Sequence, residues 1–113
     1  MHELSLACSL VEEAEKVIEA EQAARATRVT VGIGTFSGIE LDAFEFAFPI
    51  AAKGTPLEES ELTIQEIPVL VRCRSCEKES SPDFPRCACT FCGSDDIELL
   101  RGRELNIQSM EIE

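Results

Sequence analysis

Six cysteines are the residues of this chain with the clearest potential for chemistry, and four of them form two C-x-x-C pairs. Cys73 and Cys76 make the first pair, Cys89 and Cys92 make the second, and twelve residues lie between the pairs. Two such pairs at this separation are typical of a tetrahedral zinc site with four thiolate ligands. Four protein ligands leave no position for a catalytic water, so the predicted zinc is structural.

Other interpretations of the cysteines are less favoured. A rubredoxin-like iron site uses similar pairs, but a short ribbon of this kind more often carries zinc. A redox dithiol normally lies at the start of a helix after a strand, and two matched pairs argue against it. Cys87 could replace Cys89 as a ligand, but four residues would then separate it from Cys92. We therefore favour Cys89 and expect Cys87 to be a nearby free thiol.

The amino terminus is a second candidate metal site. It carries the only histidine, His2, and Met1 is expected to be retained because the second residue is large. The α-amino nitrogen, the His2 amide nitrogen and an imidazole nitrogen can close two fused chelate rings, with Glu3 as a fourth donor. Square-planar nitrogen and oxygen donors suit Ni(II) or Cu(II). The simpler interpretation is a solvated histidine without function.

The charge of the chain restricts its partners. Twenty-two acidic and ten basic residues give a net charge of −12, which repels nucleic acid and anionic membranes and attracts cations. The acidic first twenty residues do not resemble a signal peptide, and the apolar run 46–52 is far shorter than the roughly 20 residues that span a bilayer. We therefore expect a cytoplasmic protein, in which cysteines more often bind metal than form disulfides.

The pattern of apolar residues predicts the elements that must position these sites. Residues 4–26 show the spacing of one amphipathic helix, and Cys8 on its apolar stripe is expected to be buried. Residues 28–37 alternate as a strand, and residues 41–53 again have helical spacing. Pro49 is expected to kink the second helix or to end it early.

Two later segments, 62–71 and 105–112, alternate as strands and each changes parity once, as a β-bulge would cause. They flank the cysteines and are expected to pair antiparallel as one ribbon. The element order predicts an α+β fold, with a three-stranded antiparallel-type sheet, two helices and an inserted zinc-ribbon-like module that carries the four paired cysteines. The predicted domains are 1–72 with 97–113 for the α/β part and 73–96 for the zinc part.

Several of these segments together resemble the HypA family of hydrogenase maturation proteins, which are nickel metallochaperones. The resemblance rests on the start Met-His-Glu-Leu-Ser-Leu, on the segments 33–40 and 44–48, and on the paired C-x-x-C module. It covers nearly the whole chain. The combination of this amino terminus with the zinc module is more specific than either feature alone.

The resemblance implies a nickel domain of mixed α and β structure, with a zinc domain inserted between its last two strands. Nickel ligation in the family corresponds to Met1, His2 and Glu3, with Glu40 as an additional contributor. Zinc ligation corresponds to the four paired cysteines, Cys73, Cys76, Cys89 and Cys92. The implied partners are a nickel-handling maturation GTPase, the large-subunit precursor of a [NiFe]-hydrogenase and, in some cases, a urease pathway.

The chain departs from the family pattern at two positions. Glu77 follows Cys76 where a small residue is common, and Cys87 is an extra cysteine. The favoured function is a non-enzymatic carrier that binds Ni(II) at its amino terminus and delivers it to a hydrogenase through the GTPase. The alternative is a zinc-ribbon interaction module without a nickel function. A hydrolase or redox enzyme has no supporting motif.

Overall fold

The computed structural model describes residues 2–83 and 86–113, which form two helices and six strands. In chain order these are α1 (His2–Ala20), β1 (Ala26–Gly34), α2 (Leu41–Ala52), β2 (Glu61–Ile67), β3 (Leu70–Cys73), β4 (Glu79–Ser80), β5 (Ile97–Arg101) and β6 (Leu105–Ile112). The strands form two three-stranded sheets, in the orders β2-β1-β6 and β4-β3-β5. The predicted α+β class, with two helices and a separate cysteine module, is confirmed.

The chain divides into two compact units. The first unit consists of Met1–Gly32, Ile39–Gln65 and Asn106–Glu113. The second unit consists of Ile33–Gly38 and Glu66–Leu105, so it contains the whole cysteine segment. Both helices belong to the first unit.

Helix α1 contributes one apolar face to the core of the first unit. Its buried side chains are Ala7, Leu10, Val11, Ala14 and Ile18. The expectation that Cys8 is buried is wrong, because this side chain is exposed. Consecutive helical residues are rotated by about 100°, so Cys8 lies to the side of the arc that Ala7 and Val11 define.

The first helix ends six residues earlier than the sequence predicted. Gln22 has a φ of 56°, in the left-handed region. Its N–H donates to the Glu19 carbonyl and the N–H of Ala23 donates to the Ile18 carbonyl, both at 3.0 Å. These two bonds form a Schellman C-cap, which usually has glycine at the left-handed position. The apolar spacing continues past this cap. Glutamine rarely adopts a left-handed conformation, so the residue type at position 22 did not predict the end of the helix.

Helix α2 packs against α1 and buries Phe44, Ala47, Phe48 and Ala52. Pro49 does not end the helix, which continues to Ala52. Pro49 has no N–H to donate to the carbonyl of the preceding turn. The helix tolerates this proline because it lies on the exposed side of the helix.

The sheet of the first unit has three strands, as predicted, but it is mixed and not of the antiparallel type that was expected. Arg25 and Glu113 exchange two backbone hydrogen bonds, which shows that β1 and β6 are antiparallel. Contacts between β1 and β2 run from Arg28–Glu61 to Thr35–Ile67, so these two strands are parallel. The expected ribbon of residues 62–71 with 105–112 is wrong, because β1 lies between β2 and β6.

The predicted changes of parity are present in both strands. In β2 two successive exposed residues, Gln65 and Glu66, separate the half-buried Ile64 from the half-buried Ile67. In β6 the exposed pair 108–109 separates half-buried positions in the same way.

The second unit is built on β3, which pairs antiparallel with both β4 and β5. Its buried apolar side chains are few, namely Ile33, Val69, Val71 and Pro82 beside two cysteines. Gly34 lies against the backbone of Gly102, and a Cβ at Gly34 would be 2.1 Å from the Gly102 oxygen. Among the described residues, neither helix is long and apolar enough to cross a bilayer.

Candidate metal sites

The structure brings Cys73, Cys76, Cys89 and Cys92 into one cluster, with all four Sγ atoms within 4.8 Å of one another. Cys73 is the last residue of β3, and Cys76 lies in the turn that follows it. The second pair lies in the turn before β5. Cys73 and Cys89 are buried, whereas Cys92 is exposed.

Each C-x-x-C pair folds into the same turn. The N–H of Glu77 donates to the Cys73 carbonyl, and the N–H of Gly93 donates to the Cys89 carbonyl, both at 2.9 Å. Both donors have a positive φ, 65° at Glu77 and 77° at Gly93. The sequence indicated this conformation at Gly93 but not at the equivalent Glu77.

The distances between the thiols fit a zinc ion. A tetrahedral site with Zn–S bonds of about 2.3 Å requires S···S separations of about 3.8 Å. The Sγ atoms of Cys73 and Cys92 are 3.5 Å apart, and those of Cys76 and Cys89 are 3.6 Å apart. Both are far longer than the roughly 2.05 Å of a disulfide. The four residues therefore have the composition and spacing to hold zinc.

Backbone N–H groups favour the thiolate form of one cysteine in each pair. A hydrogen bond from the backbone of Cys76 lowers the pKa of the Cys73 thiol. A bond from the backbone of Cys92 lowers the pKa of the Cys89 thiol to about 6. The Ser94 backbone lowers the pKa of Cys92, but the neighbouring thiols of Cys73, Cys76 and Cys89, together with partial desolvation, outweigh it and raise that pKa to about 11. Thiolate is the form that binds metal.

Side chains that sequence reasoning missed join the two turns. The hydroxyls of Ser75 and Ser94 are 3.1 Å apart, and Arg74 Nη1 donates to Asp96 Oδ1 at 3.1 Å. The buried hydroxyl of Ser80 accepts a bond from the Thr90 N–H. Serine and arginine are common on surfaces, so no sequence signal marked these pairs.

Cys87 does not belong to the cluster of four thiols. Its side chain is exposed. The structure thus brings Cys89, and not Cys87, together with the other three cysteines.

Of the amino-terminal candidates, Glu3 and Glu40 lie where the start of α1 meets the start of α2. Met1 and the side chain of His2 lie outside the described part of the structure, whereas the backbone of His2 begins α1. The N–H of Glu40 donates to a Glu3 carboxylate oxygen at 3.3 Å. The structure therefore brings Glu3 and Glu40 together although 37 positions separate them in sequence.

Glu40 also forms the N-cap of α2. Its carboxylate accepts a hydrogen bond from the Asp42 N–H at 3.1 Å. A side chain that caps a helix satisfies one of the free N–H groups of the first turn. Three acidic residues, Glu3, Glu40 and Asp42, thus lie at the N-termini of α1 and α2. Asp42 was not among the predicted ligands.

Comparison with known proteins identifies the family. The family model for HypA, described as hydrogenase/urease nickel incorporation, metallochaperone, matches residues 1–112. The chain belongs to the HypA family. It is 38% identical over 112 residues to the hydrogenase maturation factor HypA of Synechococcus elongatus, with 99% of each chain covered. It is 40% identical over 114 residues to that of Roseiflexus, covering 100% of this chain and 93% of the relative.

Solved HypA structures have the same fold. The solution structure of the Ni metallochaperone HypA from Helicobacter pylori matches with a TM-score of 0.74 and 27% identity, covering 97% of this chain and 96% of that one. A second HypA solution structure matches with a TM-score of 0.75 and 28% identity, covering 99% and 96%. The predicted HypA membership is therefore confirmed, and the family consists of metallochaperones that act in maturation.

Proposed function

We propose that this chain is a non-enzymatic nickel carrier that binds Ni(II) at its amino terminus. The amine of Met1, the amide and imidazole of His2, and Glu3 form the chelate, with Glu40 as an additional ligand. The observation that carries this proposal is the hydrogen bond between Glu40 and the Glu3 carboxylate at 3.3 Å. It places the two acidic candidates at one corner of the molecule.

The start of α1 suits this role. The first four N–H groups of a helix have no partner within the helix, so the amides of His2 and Glu3 can become ligands without breaking a helical bond. The positive end of a helix dipole disfavours a cation by roughly 0.3–1 kcal/mol. The nearby carboxylates of Glu3, Glu40 and Asp42 offset that penalty.

Delivery requires a site that can release its ion. A chelate at the edge of the fold is open on one side, whereas a closed cage of four protein ligands holds its metal firmly. We propose that the nickel passes through a maturation GTPase to the large-subunit precursor of a [NiFe]-hydrogenase, and in some cases to a urease pathway. Nucleic acid and membranes are not partners, and the carrier works in the cytoplasm.

The two metal sites belong to two domains with separate roles. Residues 1–72 and 97–113 form the nickel-binding domain, and residues 73–96 form the zinc-binding domain. Zn(II) on Cys73, Cys76, Cys89 and Cys92 is structural and takes no part in any reaction. The S···S separations of 3.5 Å between Cys73 and Cys92 and 3.6 Å between Cys76 and Cys89 support this role.

A nickel titration of the zinc-loaded protein tests the amino-terminal site. We expect the His2→Ala variant, and a variant with Gly-Ser placed before Met1, to lose tight binding and the absorption band of square-planar Ni(II). The extension turns the Met1 amine into an amide, which is a far poorer ligand near neutral pH. Calorimetry measures the affinity, and visible absorption spectroscopy detects the band.

Glu12→Gln is the matched control, because it removes one exposed acid from the same helix and should leave nickel binding unchanged. If the extended protein bound nickel with the same affinity and spectrum, the amine would not be a ligand. If the unmodified protein bound no nickel, the alternative function, a zinc-ribbon interaction module, would be favoured.

A further inference from the structure

The outer face of α2 exposes large apolar side chains. Phe46 is 76% exposed and Ile50, one turn later, is 54% exposed. Pro49 is exposed beside them. The helix already buries its other face in the core through Phe44 and Phe48, so these outward residues are not needed for folding. Phe46 is the most exposed large apolar side chain of the described residues.

A groove of about 240 Å³ lies beside this face. Its apolar lining comes from Phe48, Pro49, Ala52, Leu57 and Leu62, and its acidic lining from Glu45, Glu58 and Glu59. We call the exposed residues Phe46, Pro49 and Ile50, together with this groove, the α2 outer face. It combines an apolar centre with an acidic rim.

The charge around the α2 outer face is predominantly negative. Residues 41–62 contain five acidic side chains and a single basic one, Lys53. Pro49 has no N–H for the Glu45 carbonyl, so this backbone acceptor also lacks its usual helical partner. An occupant would therefore need apolar residues for the centre and hydrogen-bond donors with positive charge for the rim.

We propose that the α2 outer face is a docking site for a cationic amphipathic segment of a partner protein. Apolar residues of that segment cover Phe46 and Ile50, and its Lys or Arg side chains face Glu45, Glu58 and Glu59. A second copy of this chain fits poorly, because the first unit carries fourteen acidic and four basic residues, a net charge of −10. The same charge repels anionic lipid and nucleic acid.

The test uses a synthetic helical peptide of leucine and lysine with one tryptophan. The protein has no Trp or Tyr, so tryptophan fluorescence reports only on the peptide. We expect saturable binding with a blue shift, weakened by salt. The matched peptide with glutamate in place of lysine should not bind. Amide chemical shifts of the protein should change along α2 and in residues 57–60.

Phe46→Ala should weaken peptide binding about tenfold or more, because a central aromatic anchor commonly contributes over 1.4 kcal/mol to an interface. Val17→Ala is the matched control, since Val17 is 47% exposed on the other helix. Glu59→Lys should weaken binding more than Glu12→Lys does. Nickel affinity should stay unchanged in Phe46→Ala, so this result is separable from the nickel proposal.

Several outcomes would overturn the docking proposal. Equal weakening by Phe46→Ala and Val17→Ala would mean that the peptide binds only through the general charge. Shift changes confined to α1 and β6 would locate the binding elsewhere. A dimer in sedimentation that Phe46→Ala dissolves would make a second copy the occupant. Tighter binding to phosphatidylserine vesicles than to the peptide would favour a membrane.

Discussion

Glu77 occupies the same position after Cys76 that Gly93 occupies after Cys92. Both residues have a positive φ, and both donate a backbone bond to the first cysteine of their pair. Glycine adopts this conformation without penalty, whereas another L-residue commonly loses about 1–2 kcal/mol there. Glu77 therefore introduces local strain into the turn that positions two thiols.

Replacing Glu77 with glycine should stabilise the second unit. The gain from relieving the left-handed conformation exceeds the added flexibility of glycine in the unfolded chain, so we expect a net effect of about 0.5–1 kcal/mol. In competition with a zinc chelator, the Glu77→Gly variant should bind zinc with an affinity roughly two to five times higher than that of the unmodified protein.

Two further variants separate backbone strain from charge. Glu77→Gln removes the charge but keeps the Cβ atom that disfavours the left-handed conformation. It should therefore raise zinc affinity much less than Glu77→Gly does. Gly93→Ala should introduce the same strain in the second turn and lower zinc affinity by a comparable factor. If Glu77→Gln matched Glu77→Gly, the repulsion between the carboxylate and the thiolates would be the cause instead.

At the scale of elements, the two units differ in what holds them together. The first unit has two helices packed through a core of aliphatic and phenylalanine side chains. Within the described residues of 73–96, the buried positions are only Cys73, Ser80, Pro82 and Cys89. So few apolar groups cannot offset the loss of chain entropy, so we expect metal binding to supply the remaining free energy of folding of this segment.

We expect Cys73→Ser and Cys92→Ser each to lose the single zinc per chain and to unfold the cysteine segment. The helical circular dichroism signal should persist, because α1 and α2 both lie in the first unit. A chelator should have the same effect on the unmodified protein. Metal analysis and circular dichroism measure both quantities.

Cys8→Ser and Cys87→Ser are the matched controls, since both side chains are exposed and neither belongs to the cluster. They should retain one zinc per chain. Full zinc retention in Cys73→Ser and Cys92→Ser would contradict the assigned ligands. Loss of the helical signal together with the zinc would contradict the separate stability of the first unit.

Some elements could be predicted from sequence because local patterns determine them. The periodicity of apolar residues predicted both helices and the parity changes of β2 and β6, because burial of one face of an element imposes a periodic pattern on its sequence. The end of α1 could not be predicted, since Gln22 adopts a conformation that its type does not favour. The order β2-β1-β6 was also missed, because strand pairing depends on contacts between distant segments.

In the candidate sites too, features set by local sequence could be predicted, and features that depend on distant contacts could not. Spacing alone indicated the four cysteines, because a C-x-x-C pair brings its own ligands together within one turn. The approach of Glu3 to Glu40 depends on how α1 packs against α2, and only the family resemblance suggested Glu40. The pairs Ser75–Ser94 and Arg74–Asp96 had no local signal, since each joins two separate turns.

At the scale of the whole molecule, the acidic charge is concentrated in one unit. The first unit has a net charge of −10 and the second a net charge of −2. The helices and the amino terminus belong to the more acidic unit, so the field there concentrates divalent cations, and also protons. Protons and nickel therefore compete for the proposed amino-terminal ligands.

This competition predicts that nickel affinity falls steeply as the pH decreases from about 8 to about 6. A terminal amine ordinarily has a pKa of about 7.7–8.0 and an imidazole about 6.5, and both must lose a proton before they bind metal. Lower pH protonates both ligands, so we expect a loss of about a hundredfold. An amide ligand releases a further proton and steepens the dependence. Calorimetric nickel titrations at several pH values measure it.

Zinc provides the internal reference for that experiment. Thiolates that coordinate zinc stay deprotonated far below the ordinary pKa of a thiol, so zinc content should stay at one per chain over the same range. Parallel loss of both metals would indicate unfolding rather than competition. A nickel affinity that stayed constant between pH 8 and 6 would mean that groups already deprotonated at pH 6, such as carboxylates, hold the ion. Such a site would then rest on carboxylates such as those of Glu3 and Glu40, which lie together at the starts of α1 and α2, and not on the amine of the first residue.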